Sequence, residues 1–228
     1  MSVATKRNIF WLLWLLIILS GPITVIRNSD IQNTFANAIV LTNFFQRITG
    51  LLASSLLFIQ IILGSRMSWW LKIIGSKAYR IHTVQGLFAY GFMLVHPLFE
   101  NIIVYQDSKS ITESLSVFIP SLETQRDILL VFGRIAFLLA TIAVVASYFR
   151  TKPFFRRNWR AFHILNYLVF YLVFWHMRIG SDIATSPFKW VSLIALVTVS
   201  GSLIYRILYP QYLKLRAKMD AEKKLQKA

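Results

Sequence analysis

The sequence predicts an all-α, polytopic membrane protein: a six-helix transmembrane bundle with both termini cytoplasmic. Three observations predict it. Hydrophobic residues fill 56% of the 228 positions and charged residues only 15%, with a mean hydropathy of +0.57, outside the range of a soluble globular chain. Six predominantly apolar runs are separated by short polar loops, and a helix of about 20 such residues crosses the ~30 Å hydrocarbon core of a bilayer. Cations collect on alternate loops, as the positive-inside rule requires.

The predicted spans cover residues 9–26, 44–63, 81–105, 128–149, 162–177 and 188–209. Before the first, Lys6 and Arg7 imitate the start of a secretory signal, and Ala36-Asn37-Ala38 imitates a cleavage site. The apolar run ends near Ile26, too far upstream for cleavage there, so the first span is read as uncleaved. The other five runs follow in one bundle, with no linker, low-complexity tract or soluble module between them. Residues 210–228 form a short basic cytoplasmic tail, so residues 1–228 read as a single transmembrane domain with that tail.

The net charge of +16 suggests nucleic acid until its distribution is considered. Lys6 and Arg7 precede the first span; Arg66, Lys72, Lys77 and Arg80 follow the second. Arg150, Lys152, Arg156, Arg157 and Arg160 follow the fourth, and Lys214, Arg216, Lys218, Lys223, Lys224 and Lys227 fill the tail. Asp30, Asp107, Glu113, Glu123, Asp127 and Asp182 occupy the alternate loops. This pattern puts both termini inside and an even number of spans between them. The partners it implies are the lipid bilayer and an acidic protein, with no nucleic acid. The chain has no cysteine, which excludes disulfides, zinc-thiolate sites and iron-sulfur clusters within it.

Four histidines carry the candidate chemistry: His82 and His96 in the third segment, His163 and His176 in the fifth. Ionisable side chains at membrane depth are costly and mark functional sites by default, although a lone histidine also serves as an interhelical hydrogen-bonding group. Here there are two matched pairs. The third and fifth segments run in the same direction, and the steps within them span about 21 Å and about 19.5 Å. No single metal reaches both members of a pair. Two stacked sites, His82 with His163 and His96 with His176, each take one ligand from each helix.

A bare zinc or copper ion wants three or four protein ligands, which the chain does not supply. Haem brings four nitrogens of its own and needs only two axial imidazoles. The sequence therefore points to two b haems with the four histidines as iron axial ligands. Fourteen residues return His96 to within about 40° of His82, but thirteen leave His163 and His176 about 140° apart on an ideal helix. The fifth helix is expected to be overwound or irregular, or to present its ligands from different edges. Gly86, one turn beyond His82, offers close approach to a porphyrin or ordinary small-residue packing.

Several strings resemble the ferric reductase-like transmembrane domain: Phe45-Gln46-Arg47-Ile48-Thr49-Gly50-Leu51-Leu52-Ala53, Gly64-Ser65-Arg66, Tyr79-Arg80-Ile81-His82, Leu94-Val95-His96-Pro97-Leu98, Trp159-Arg160-Ala161-Phe162-His163 and Phe174-Trp175-His176. That family includes iron reductases, NADPH oxidases and the haem-binding subunit of the periplasmic methionine-sulfoxide reductase system. The resemblance implies six helices and two b haems held by histidine pairs of these spacings. It departs from the reductases and oxidases in lacking a C-terminal FAD and NAD(P)H module, and no G-x-G-x-x-G string follows a strand pattern. It departs from the methionine-sulfoxide branch in having His82.

The expected function is an oxidoreductase membrane component in the cell (inner) membrane. The expected donor is a cytoplasmic flavoreductase, with FAD or FMN and NAD(P)H entering only through that partner, or a membrane quinol. Ferric iron or its chelates, oxygen, or a periplasmic reductase is the external acceptor. A haem-bearing anchor linked to the quinone pool and a non-redox transporter or scaffold are the alternatives. For the haem propionates, Arg134 and Arg47 are the outer candidates and Arg80 and Arg160 the inner ones, the latter two reading equally as interface arginines. Phe170, seven residues beyond His163, sits between the two haem levels or in the core.

Overall fold

Within hydrocarbon, every backbone N–H and C=O must find its partner inside the segment, so apolar runs of this length fold as helices. The computed structural model describes residues 1–225; residues 226–228 of the predicted tail lie outside the described residues. Its long helices are α1 (Val3–Arg27), α3 (Ala38–Ser65), α5 (Lys77–Ser108), α7 (Gln125–Tyr148), α8 (Pro153–His176) and α9 (Phe188–Leu225). Short helices α2 (Ile31–Ala36), α4 (Met67–Ile74) and α6 (Ile111–Ser116) lie in the connections. Among the described residues there is no strand.

The starts follow local chemistry. Asp30 accepts from Asn33 N–H at the head of α2, and Ser110 accepts from Glu113 N–H at the head of α6. Thr124 and Asp127 form a reciprocal capping box on α7, satisfying two donors that the helix itself leaves free. Pro153 opens α8, where its missing N–H costs nothing and its fixed φ suits the first turn.

Five helices are long and apolar enough to cross a membrane: α1, α3, α5, α7, and α9 over Phe188–Ala217. The sequence predicts six spans, and the difference is α8. Its 24 residues suffice in length, but Arg160, His163, Asn166 and His176 hold its hydropathy below that of the others. The polar side chains that make α8 interesting also hide it. α8 starts nine residues before the predicted edge at 162. α9 runs through Pro210 to Leu225 as one helix, so the predicted tail begins as a continuation of the last span.

Packing divides the long helices into two antiparallel pairs, α3 against α5 and α7 against α8, with α1 and α9 closing on α3. The largest buried cluster gathers Leu57, Phe58 and Ile61 of α3, Ala136 and Ala140 of α7, Tyr167, Val169 and Phe170 of α8, and Ala195 and Val199 of α9. Alanines on the inner face of α7 and on α9 let those backbones come close, as small residues do at membrane helix interfaces. Gln85 is buried and doubly used: Trp14 Nε1 donates to its Oε1 at 2.7 Å, and its Nε2 donates to the Leu56 carbonyl at 3.3 Å. One amide thus ties α1, α3 and α5 together. Leu12, Leu13, Leu16 and Leu19 of α1 are exposed, an apolar stripe suited to lipid rather than water.

Candidate functional site: two imidazole pairs between α5 and α8

α5 carries His82 and His96 on one uninterrupted helix, and α8 carries His163 in its middle and His176 as its last residue. The structure brings His82 to His163, with ring centroids 5.8 Å apart and planes at 75°. It brings His96 to His176, with centroids 6.0 Å apart and planes at 86°. α5 packs along α3 and α8 along α7, with no extensive approach of α5 and α8 backbones to each other. The two imidazole pairs therefore bridge a gap. Midway along it, Tyr90 of α5 hydrogen-bonds Thr141 of α7 at 3.0 Å and stacks on Phe137.

The phase problem in α8 is resolved at its end. The helix stays α-helical through His176, and a 3-10 turn, Met177–Ile179, begins at the next residue. The irregularity lies beyond His176 rather than between the two histidines, so His163 and His176 leave the helix from different edges.

Hydrogen bonding at Nδ1 sets the tautomer at one level. His96 Nδ1 lies 2.9 Å from the Gln46 carbonyl and His176 Nδ1 2.9 Å from the Leu129 carbonyl. A carbonyl only accepts, so both Nδ1 atoms donate, and each Nε2 keeps its lone pair. Such a carbonyl partner is the usual support of a metal-bound histidine. At the other level, His163 Nδ1 has Ser147 Oγ at 3.2 Å and Asn166 Nδ2 at 3.4 Å, while His82 Nδ1 is buried without a hydrogen-bond partner among the described residues.

Each histidine rests against a small residue of the neighbouring helix. A Cβ on Gly50 would fall 2.8 Å from His96 Cε1, and one on Gly64 would fall 3.2 Å from His82 Cε1. A Cβ on Gly133 would fall 2.7 Å from His176 Nδ1, and Ser147 fills the equivalent place beside His163. Gly50 and Gly64 on α3, His82 and His96 on α5, and Gly133 and Ser147 on α7 are all spaced by 14 residues. Gly86, singled out from the sequence, would instead place a Cβ 3.5 Å from Gln60 Oε1, an ordinary contact.

The pairs fit a b haem. Two imidazole nitrogens each about 2 Å from one metal, with each ring centre roughly 1 Å farther on, put the centroids roughly 6 Å apart. Among the described residues, no three His, Asp or Glu side chains converge as ligands for a bare metal ion. Each pair is a two-donor set, suited to a metal that brings its equatorial ligands with it.

The other candidate residues have partners of their own or lie in the core or at the surface. Arg47 donates from Nε to Asp182 Oδ2 at 2.7 Å and from Nη2 to Oδ1 at 2.6 Å, with Ser29 Oγ at 3.3 Å from Nη1. Its charge is already met. Burial pushes the Asp182 carboxyl up, but hydrogen bonds from Arg47 and Asn28, with the Arg47 charge, outweigh it and hold the group below its ordinary value. Arg134 donates from Nη2 to the Val117 carbonyl at 2.5 Å. Arg80 and Arg160 are exposed, the latter 5.6 Å from the Trp159 ring centroid. Phe170 is buried in the core and stacks on Phe174, with centroids 6.5 Å apart.

The reading of the residues missed Gly50, Gly64, Gly133 and Ser147, whose 14-residue spacing was visible, and the Gln46 and Leu129 carbonyls, which have no sequence signal. It also missed Glu100, one turn beyond His96. Gln46 Nε2 donates to Glu100 Oε2 at 2.7 Å, and Arg126 lies 3.3 Å from Oε1.

Residues 49–174, more than half of the chain, match the family model described as ferric reductase like transmembrane component. The matched stretch takes in His82, His96 and His163 and stops two residues short of His176. No curated protein and no solved structure matches the chain.

Proposed function

The chain belongs to the ferric reductase-like transmembrane family, and on that premise we propose that it carries electrons across the cell membrane through two b haems, one at His82 and His163 and one at His96 and His176. Family and helices make it a multi-pass membrane protein of oxidoreductase type. In the finer reading, α8 is the sixth span, and both termini face the cytoplasm. The donor is a cytoplasmic flavoreductase or a membrane quinol, and the acceptor is external: ferric iron, oxygen or a periplasmic redox partner.

The observation that carries this reading is the pair of imidazole bridges, with centroids 5.8 and 6.0 Å apart, across the gap between α5 and α8. His82, His163, His96 and His176 would hold the haems, which would supply a one-electron couple. The protein's part is positional. The Gln46 and Leu129 carbonyls hold the Nδ1 protons, so the Nε2 lone pairs of His96 and His176 are available as ligands. Gly50, Gly64 and Gly133 let the rings seat against α3 and α7. Outer-sphere transfer of this kind requires no general acid or base from the chain.

The test is a reduced-minus-oxidised spectrum of the purified protein with haem quantified per chain. Two b haems are expected, and H96A is expected to remove one of them and abolish transfer to an external acceptor. A colourless protein, or an H96A variant that retains both signals, overturns the reading. Reduction by quinol set against reduced flavin separates the two donors.

A further inference from the structure

Beside the His96 and His176 pair lies an open cleft of about 320 Å3, lined by Gln125, Arg126, Leu129, Trp175, Arg178 and Ile179. Two short links join it to the pair: Trp175 precedes His176 in the chain, and the Leu129 carbonyl receives the His176 Nδ1 hydrogen bond at 2.9 Å. Two guanidinium groups and an amide line the cleft, and among the described residues no carboxylate does.

The charge is poorly compensated. Arg178 lies over the Trp175 ring, its guanidinium carbon 4.8 Å from the centroid, and makes no ion pair among the described residues. Arg126 reaches Glu100 at 3.3 Å, but its side chain is 62% exposed, and such a pair is weak. Both arginines stand at the end of the bundle where Asp30, Asp107, Glu113, Glu123, Asp127 and Asp182 collect. A positive cleft there runs against the charge of its surroundings, so the positive-inside distribution does not explain it.

We propose that this cleft binds a carboxylate, with Arg126 and Arg178 as its cations. A planar guanidinium presents paired N–H donors matched to the two oxygens of a carboxylate, and the Trp175 ring holds the plane of Arg178. The proposal rests on the reading of His96 and His176 as axial ligands. The carboxylate comes from one of two sources: a propionate of the haem held by that pair, or a soluble electron acceptor arriving at the same end. In the first case, Arg126 and Arg178 take the role expected of Arg134 and Arg47, which bond to the Val117 carbonyl and to Asp182.

The test uses detergent-purified, haem-loaded protein and the variants R126Q/R178Q and R178K. Citrate binding is measured by calorimetry, and the haem midpoint potentials by spectroelectrochemical titration. If a propionate is the source, citrate does not bind the wild type, and the double variant lowers one midpoint because the electron added on reduction loses two nearby cations. If an external acceptor is the source, citrate binds the wild type and the double variant weakens it by about tenfold or more. R178K keeps the charge and is expected to stay near the wild type in both readouts; should the double variant not fold, R126Q and R178Q, each removing one cation, are read in its place, with smaller effects of the same sign. A folded double variant with unchanged midpoints, together with no citrate binding by the wild type, overturns the proposal. A colourless wild type sinks the haem reading alone, and citrate then decides the cleft.

Discussion

At the scale of single residues, the site depends on what is missing beside each imidazole. Gly133→Ala places a methyl 2.7 Å from His176 Nδ1 and 2.8 Å from Cε1, closer than real side chains come, so the ring must move off the Leu129 carbonyl. Overpacking of this kind costs about 1–3 kcal/mol, and haem content is expected to fall from two per chain toward one, with a lower melting temperature. Gly64→Ala, at 3.2 Å from His82, is expected to give a milder loss. Wild-type haem content in Gly133→Ala would show that the close contact does not hold the ring. The histidines themselves were legible because four ionisable rings in hydrocarbon need a reason. Their supports were not, because a backbone carbonyl carries no residue identity, and a glycine in a helix reads the same whether it faces lipid or a ligand. Phe170 falls in the core, one of the two places its phase left open, and the charge of Arg47 is met by a partner distant in sequence, Asp182.

Among the elements, the loops settle how the helices meet. Asp182, in the 3-10 turn Asp182–Ala184 between α8 and α9, takes hydrogen bonds from Arg47 of α3 and from Asn28 just beyond α1. Its folded carboxyl is held below 3.8, so its stabilising contribution is complete above the unfolded value and lost as pH falls through the folded one. Asp182→Asn is expected to cost about 2 kcal/mol near neutral pH, since a hydrogen bond to a charged group is worth roughly that. The melting temperature of the wild type should drop more steeply below about pH 4 than that of the variant; parallel acid profiles would assign the stability elsewhere. The long apolar helices were legible from composition, and their edges followed caps such as Thr124 with Asp127. α8 was legible only from residue 162 onward, because Arg156, Arg157 and Arg160 break the apolar run that marks a span. The 3-10 turn after His176 leaves no periodic signal at all.

For the whole molecule, the six-span reading turns on α8. The native chain has no cysteine, so single cysteines introduced at Thr151, before α8, and at exposed Ser181, after it, are unique reactive groups. With a membrane-impermeant thiol reagent on intact cells, Ser181→Cys is expected to label and Thr151→Cys to label only after permeabilisation. Labelling of both from the same side would remove the sixth span and the cytoplasmic placement of both termini. The spacing of 14 residues on α3, α5 and α7 also carries a consequence for how such a chain can vary in length. One residue inserted between His82 and His96 turns the second ring by about 100° and shifts it by about 1.5 Å, away from both Gly50 and His176. Repairing that would take matching insertions in three other helices at once. The stretches between the two levels are therefore frozen in length, and insertions and deletions are confined to the connections outside them.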